Sequence, residues 1–369
     1  MRGCQALALA LCVAAIVGCS HGVERRAASE EAVREAVERQ FEVSDARLDR
    51  AQLGLRVRDM ILARRYAELD ALADSLRTTD ARFRSGSSMV SSFYGRPFDN
   101  YDESPIPPET WERLLHNLRE WRSNARMHSP TPAIALAHAL IDRAWAARGG
   151  GYANTVKEKQ WDRFHNDITE ARQILGRVER NGRSCPGWHE AMLEVALCLG
   201  ASAEEYDRIF EAAVAAFPTH AEFYMAKSRY LQPRWHGEPG DWERFAAEVA
   251  DRNPGGRGAE LYARIVYSQA DYFTNVFEES PAVSWERVQA GLEAWQARCP
   301  ESVLPLSLSS RFAAQAGRYA ESLKAHRALG KRVDLAAWDS DVTYWQRSRN
   351  WVLANSGRAT ATSGPARTR

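Results

Sequence analysis

Two stretches of this chain open in the same way, and that shared opening restricts the fold more than any single residue does. Trp111-Glu112-Arg113 leads to Leu118 and Trp121, and Trp285-Glu286-Arg287 leads to Leu292 and Trp295. At these intervals the three apolar residues share one face of an α-helix but are split between the two faces of a strand. Thr110 and Ser284 precede the two helices as expected N-caps. A proline-led helix is expected after each, over 132–147 and 300–316. Related openings recur at Trp161-Asp162-Arg163 and at Trp242-Glu243-Arg244, the latter with Asp241 as its expected cap. Tryptophans repeated at helix openings point to packing between helical hairpins, and a carbohydrate- or peptide-binding groove is the other use of so many.

Almost everything after residue 28 carries helical periodicity, as in 30–41 and 58–76, and strand-like alternation is nearly absent. The stretch 85–109 contains Gly86, Gly95, Pro97, Pro105, Pro107 and Pro108 and reads as a long surface loop. Residues 355–369 are Ser, Thr, Gly, Ala and Arg in the main and are expected to be a disordered tail. The segment Ala313-Ala314-Gln315-Ala316-Gly317-Arg318-Tyr319 resembles tetratricopeptide-type (TPR-like) hairpins, with a glycine ending one helix and a tyrosine packing the next. A related arrangement runs from Leu199-Gly200 through Tyr206 and Phe210 to Phe217-Pro218. Such hairpins bury their apolar faces by stacking. The expected fold is therefore all-α: an irregular TPR-like, α-solenoid-like domain over 51–354, with a compact irregular helical domain as the alternative.

The start of the chain predicts an address. Arg2 precedes an apolar run over 6–17, too short to span a bilayer as a stable helix, and Gly18-Cys19-Ser20 follows. This order resembles a bacterial lipoprotein signal. The resemblance implies a signal peptide over 1–18, a lipid on Cys19, and a partly helical tethered segment over 19–50. Several acyl chains hold a protein to a membrane stably where one is marginal. By resemblance to enterobacterial sorting, Ser20 in place of an aspartate implies the periplasmic face of the outer membrane. No second long apolar run exists, so no transmembrane span is expected.

The full chain is formally +1, and losing Arg2 with the signal leaves its side chains at zero. That balance argues against nucleic acid and against a polybasic membrane patch. Cys4 and Cys12 leave with the signal, so Cys185, Cys198 and Cys299 remain. A helix between Cys185 and Cys198 separates them by about 18 Å, beyond disulfide reach, so buried free thiols are expected.

Three blocks resemble a bacterial family of unknown function, the DUF 4034 group. The first is Ala63-Arg64-Arg65-Tyr66-Ala67-Glu68-Leu69-Asp70-Ala71-Leu72, leading to Arg82-Phe83 and Phe93-Tyr94. The second is Ala144-Trp145-Ala146-Ala147-Arg148-Gly149-Gly150-Gly151-Tyr152, followed by Trp161. The third is Tyr230-Leu231-Gln232-Pro233-Arg234-Trp235-His236-Gly237, ending in Gly240-Asp241-Trp242. Ser87–Ser88 depart from the pattern, which has a tryptophan nearby. The resemblance implies a helical-repeat fold and carries no activity with it.

Two local features bear chemistry. In Arg234-Trp235-His236-Gly237, the functional use has Arg234 binding a carboxylate and His236 exchanging a proton beside it. The structural use of the same residues has Trp235 and Trp242 filling a groove while Arg234 caps helix carbonyls. Arg148-Gly149-Gly150-Gly151-Tyr152 is either an anion-binding nest or a glycine C-cap. The candidate pocket is accordingly Arg148, Tyr152, Arg234, Trp235, His236 and Asp241. No zinc-protease helix, phosphate loop or nucleophile elbow is present, and the sequence assigns no catalytic, cofactor or metal residue. The expected role is a membrane-tethered protein- or peptide-interaction module of the cell envelope. The alternative is an envelope enzyme or small-ligand receptor around Arg234 and His236.

Overall fold

The computed structural model describes residues 34, 36–99, 105–124, 129–151, 153–253 and 255–355. The signal over 1–18, Cys19, Ser20, Tyr152 and the tail beyond Asn355 lie outside the described residues. The fold is all-α, and among the described residues the strands are β1 (Glu42–Ser44) and β2 (Arg332–Asp334). No described helix is long and apolar enough to cross a membrane. The chain divides into two compact units: Ala46–Pro305, and the described residues before Ala46 together with those from Leu306 on.

The larger unit contains α1 (Ala46–Leu62), α2 (Tyr66–Thr78), α3 (Met89–Gly95), α4 (Pro108–Asn124), α5 (Thr131–Arg148), α6 (Glu158–Arg177), α7 (Glu179–Gly182), α8 (Pro186–Cys198), α9 (Ala203–Ala216), α10 (Ala221–Tyr230), α11 (Asp241–Arg252), α12 (Gly256–Gln269), α13 (Val276–Glu279) and α14 (Trp285–Arg298). Helix α5 is buried on every side from Thr131 to Ile141, because its residues are apolar all round rather than along one stripe. It packs against α4, α6 and α8. A second centre forms where α12 packs against α10, α11 and α14. Helices α12 and α14 approach closely because Gly291 has no side chain, and a Cβ there would strike the Ala259 carbonyl and the Ala263 methyl.

The repeated tryptophan face is core in both copies. Trp111, Leu118 and Trp121 are buried in α4, and Trp285, Leu292 and Trp295 in α14. Ser284 caps α14 through the Arg287 N–H. Thr110, by contrast, lies inside the first turn of α4, because Pro108 starts that helix two residues earlier. Asp241 is likewise not an N-cap. Gly240, at φ 92°, occupies that position, and the Asp241 carboxylate accepts the Glu238 N–H at 2.8 Å from within the helix. Cys185 is buried and Cys198 and Cys299 are only half-buried, all three as free thiols.

Within the stretch 85–109, residues 85–99 are not a surface loop. Ser88 caps the short α3 through the Ser91 N–H, and Phe93, Tyr94 and Phe98 enter the core. The Ser85 carbonyl accepts from the Arg264 guanidinium and from Trp295 Nε1, both at 2.8 Å. Arg264 lies 3.8 Å over the Trp295 ring and pairs with Glu260, whose side chain is 1% exposed and is shared with Arg298. Gly86 and Pro97 are buried within this crossing, so turn composition alone misplaces it at the surface.

The smaller unit holds α15 (Leu304–Gln315, entering it at Leu306), α16 (Tyr319–Leu329) and α17 (Val342–Asn355). Gly317, at φ 71°, separates α15 from α16, and Tyr319 is buried at the start of α16. Strand β1 pairs in parallel with β2, Val43 opposite Val333. Phe41 meets Trp345 edge-on at 4.9 Å, and Arg34 donates to the Ser340 carbonyl.

Candidate functional site

The last turn of α5 carries Trp145 and Arg148 to the end of the buried bundle, where half-buried rings collect. The Arg148 guanidinium lies 5.5 Å from the Trp145 ring centre and 5.2 Å from that of Trp161 on α6. The Arg229 guanidinium also lies 5.5 Å from the Trp145 ring and 5.1 Å from that of Trp235. Trp145 and Trp235 also meet edge to face at 5.4 Å. The result is an alternating array, Trp161, Arg148, Trp145, Arg229, Trp235, in which each guanidinium serves two rings.

Glu194 on α8 fixes the middle of the array. It accepts Trp145 Nε1 at 2.8 Å and both terminal nitrogens of Arg229, at 3.0 and 3.1 Å. Burial works against the Arg229 charge, but the Glu194 carboxylate outweighs it and the guanidinium pKa goes up. One turn before Trp145, Asp142 has a buried Oδ2 without a hydrogen-bond partner. Burial, with Asp99 and Glu194 adding to it, pushes this carboxyl well above the usual range. Burial and then Glu194 push the Cys198 thiol up as well, which makes it a poor nucleophile. The array is equipped to stack, since Trp145 Nε1 and Arg229 already donate to Glu194.

The residues expected to form a pocket are divided among several neighbours. Arg148 and Trp235 are brought together by the Trp145 ring between them. Arg148 also donates to the Gly149 and Gly151 carbonyls, so that loop turns carbonyl oxygens, not N–H groups, toward the cation. Gly149, at φ 77°, is the C-cap of α5. His236 stacks on Tyr230 at 4.8 Å and its Nε2 meets the Leu197 carbonyl at 3.0 Å. Arg234 caps no helix; its guanidinium lies 4.7 Å over the Tyr272 ring. Asp241 pairs with Arg244.

A second polar cluster escaped the sequence reading. His220 is 2% exposed and its Nε2 faces Glu190, Ser91 Oγ at 3.2 Å and Glu222 at 3.6 Å. Glu222 also accepts the Ser88 N–H at 2.8 Å. Burial opposes the imidazolium, but the Glu222 charge and the Glu190 hydrogen bond overcome it, and the His220 pKa is raised. Burial also opposes the Glu222 carboxylate, yet His220 and the Ser88 N–H bring its pKa below the ordinary value. A serine–histidine–acid relay needs the acid on Nδ1 and the serine on Nε2. Here both acids and the serine address Nε2, so the arrangement is an ion-pair knot tying α3, α8 and α10 together. Ser91, Glu190 and the His220–Glu222 pair come from three separate stretches of sequence and share no motif. Among the described residues, no group of three His, Cys, Asp or Glu side chains is placed to hold a metal ion.

Compared with known proteins, the chain matches no family model, no curated sequence and no solved structure.

Proposed function

We propose that this protein is a lipid-tethered interaction module of the bacterial cell envelope, built on the helical-repeat fold that the DUF 4034 resemblance implies. In this reading Cys19 carries the lipid and Ser20 directs the protein to the periplasmic face of the outer membrane. The TPR-like hairpins form the scaffold, and a protein or peptide partner docks over the Trp145 array. The observation that carries the reading is the half-buried state of Trp145, Trp161 and Trp235 with guanidiniums between them. The few residues that dominate binding energy in protein interfaces are enriched in tryptophan and arginine. Rings already ordered by Glu194 and by one another lose little further freedom on binding.

The test is crosslinking in the intact envelope, followed by capture and mass spectrometry, with wild type, Trp235→Ala and Cys19→Ala compared. One stoichiometric partner is expected with wild type, reduced about tenfold or more with Trp235→Ala. Cys19→Ala should move the protein out of the membrane fraction and deplete the same partner. A partner indifferent to Trp235→Ala, or none, removes this function.

A further inference from the structure

Helices α4 and α6 both pack on α5, and their exposed side chains meet at a constant offset of 51 residues. Glu112 faces Arg163 at 3.9 Å, and seven residues on, Arg119 faces Glu170 at 3.1 Å. A constant offset means that the two helices run in the same direction, so their C-terminal ends lie together. Opposite charges face each other along the pair until the last turns, where the pattern breaks. Arg122 on α4 and Arg177 on α6 make no ion pair or hydrogen bond with any described residue, and neither does Gln173. Together with Arg119, Ser123 and Glu170 they line a cavity of about 370 Å³.

We propose that this cavity is an anion site for a phosphate group, held by Arg122 and Arg177 with Arg119 beside them. Three guanidiniums converge there against one carboxylate, an excess that matches a dianion. The chain as a whole is close to neutral, so the excess is not a by-product of a basic surface. The guanidinium fork fits phosphate oxygens two at a time, and the Gln173 amide adds a donor. In the empty state the C-terminal dipoles of α4 and α6 keep like charges together, since Arg122 and Arg177 both lie in last turns. Free phosphate and the phosphate of a lipid headgroup share this chemistry.

Calorimetric titration of the full chain at low salt, with inorganic phosphate and with glycerol 3-phosphate, tests the site. Saturable one-to-one binding is expected. Arg122→Ala and Arg177→Ala should each weaken it about tenfold, and Glu170→Gln, which removes the competing carboxylate, should tighten it about threefold. All three positions are on the surface, so thermal melting of the variants should match wild type. Tighter binding of glycerol 3-phosphate than of phosphate identifies the lipid headgroup as the source, and equal binding identifies free phosphate. Absence of saturable binding, or binding unchanged in both arginine variants, overturns the proposal and leaves these guanidiniums as complements of the helix ends.

Discussion

His220 is the side chain on which the polar interior of the larger unit turns. Replacing it with alanine leaves Glu190 and Glu222 facing each other's charge with no cation at Nε2. The expected loss is about 3 kcal/mol. Its pH dependence follows from the two shifts. A raised histidine pKa stabilises fully below about 6.5 and is lost as pH rises through the folded value. A depressed Glu222 pKa stabilises above about 4.3 and is lost toward acid. Urea unfolding should therefore show the largest deficit of His220→Ala near pH 6 and a smaller one at pH 9. His326 in the smaller unit behaves oppositely. Burial and then Arg349 bring its pKa down to about 4, so wild type loses stability as pH falls from about 6.5 to 4. A neutral replacement, His326→Gln, should remove on the order of 2 kcal/mol of that acid loss, read from the difference between melts at pH 7 and pH 4. Asp142→Asn removes a carboxyl that burial holds protonated, so its benefit to stability should grow as pH rises above about 4.

Among the elements, α4 and α14 carry the repeated tryptophan face, and Trp111→Ala or Trp285→Ala should each cost about 3–5 kcal/mol in denaturant unfolding. Gly291→Ala should cost about 1–3 kcal/mol by forcing α14 off the α12 backbone. These helices were legible because their signals are local. The periodicity of Trp285, Leu292 and Trp295, the Ser284 cap, and the glycine stops at Gly149, Gly200 and Gly317 each lie within a turn or two of what they specify. The crossing over 85–98 was not legible, because its burial depends on Arg264 and Trp295, far along the chain. The site was half legible for the same reason. Arg148 and Trp235 sit in conspicuous turns, but the ring that joins them, Trp145, and the carboxylate that orients it, Glu194, look like ordinary helix residues. The cluster around His220 left no sequence signal, since Ser91 and Glu190 reach the start of α10 from two other helices.

At the scale of the whole molecule, the smaller unit is assembled from the early and late parts of the chain, with Glu42 opposite Arg332. Phe41 anchors this junction against Trp345 and beneath Arg349. Phe41→Ala should raise amide hydrogen exchange at Val333 and Asp334, and an unchanged rate there would show that the strand pair holds without the ring. The same pairing sets a timetable. Ser44 and Asp334 are 290 residues apart. At about 5–20 residues per second, synthesis leaves β1 without its partner for roughly 15–60 s. Throughout that interval a short strand edge behind the proposed tether waits unpaired while the helices of 46–305 can already form. Strand β1 is thus among the last described elements to be secured, and the smaller unit closes only after Asp334 has been made.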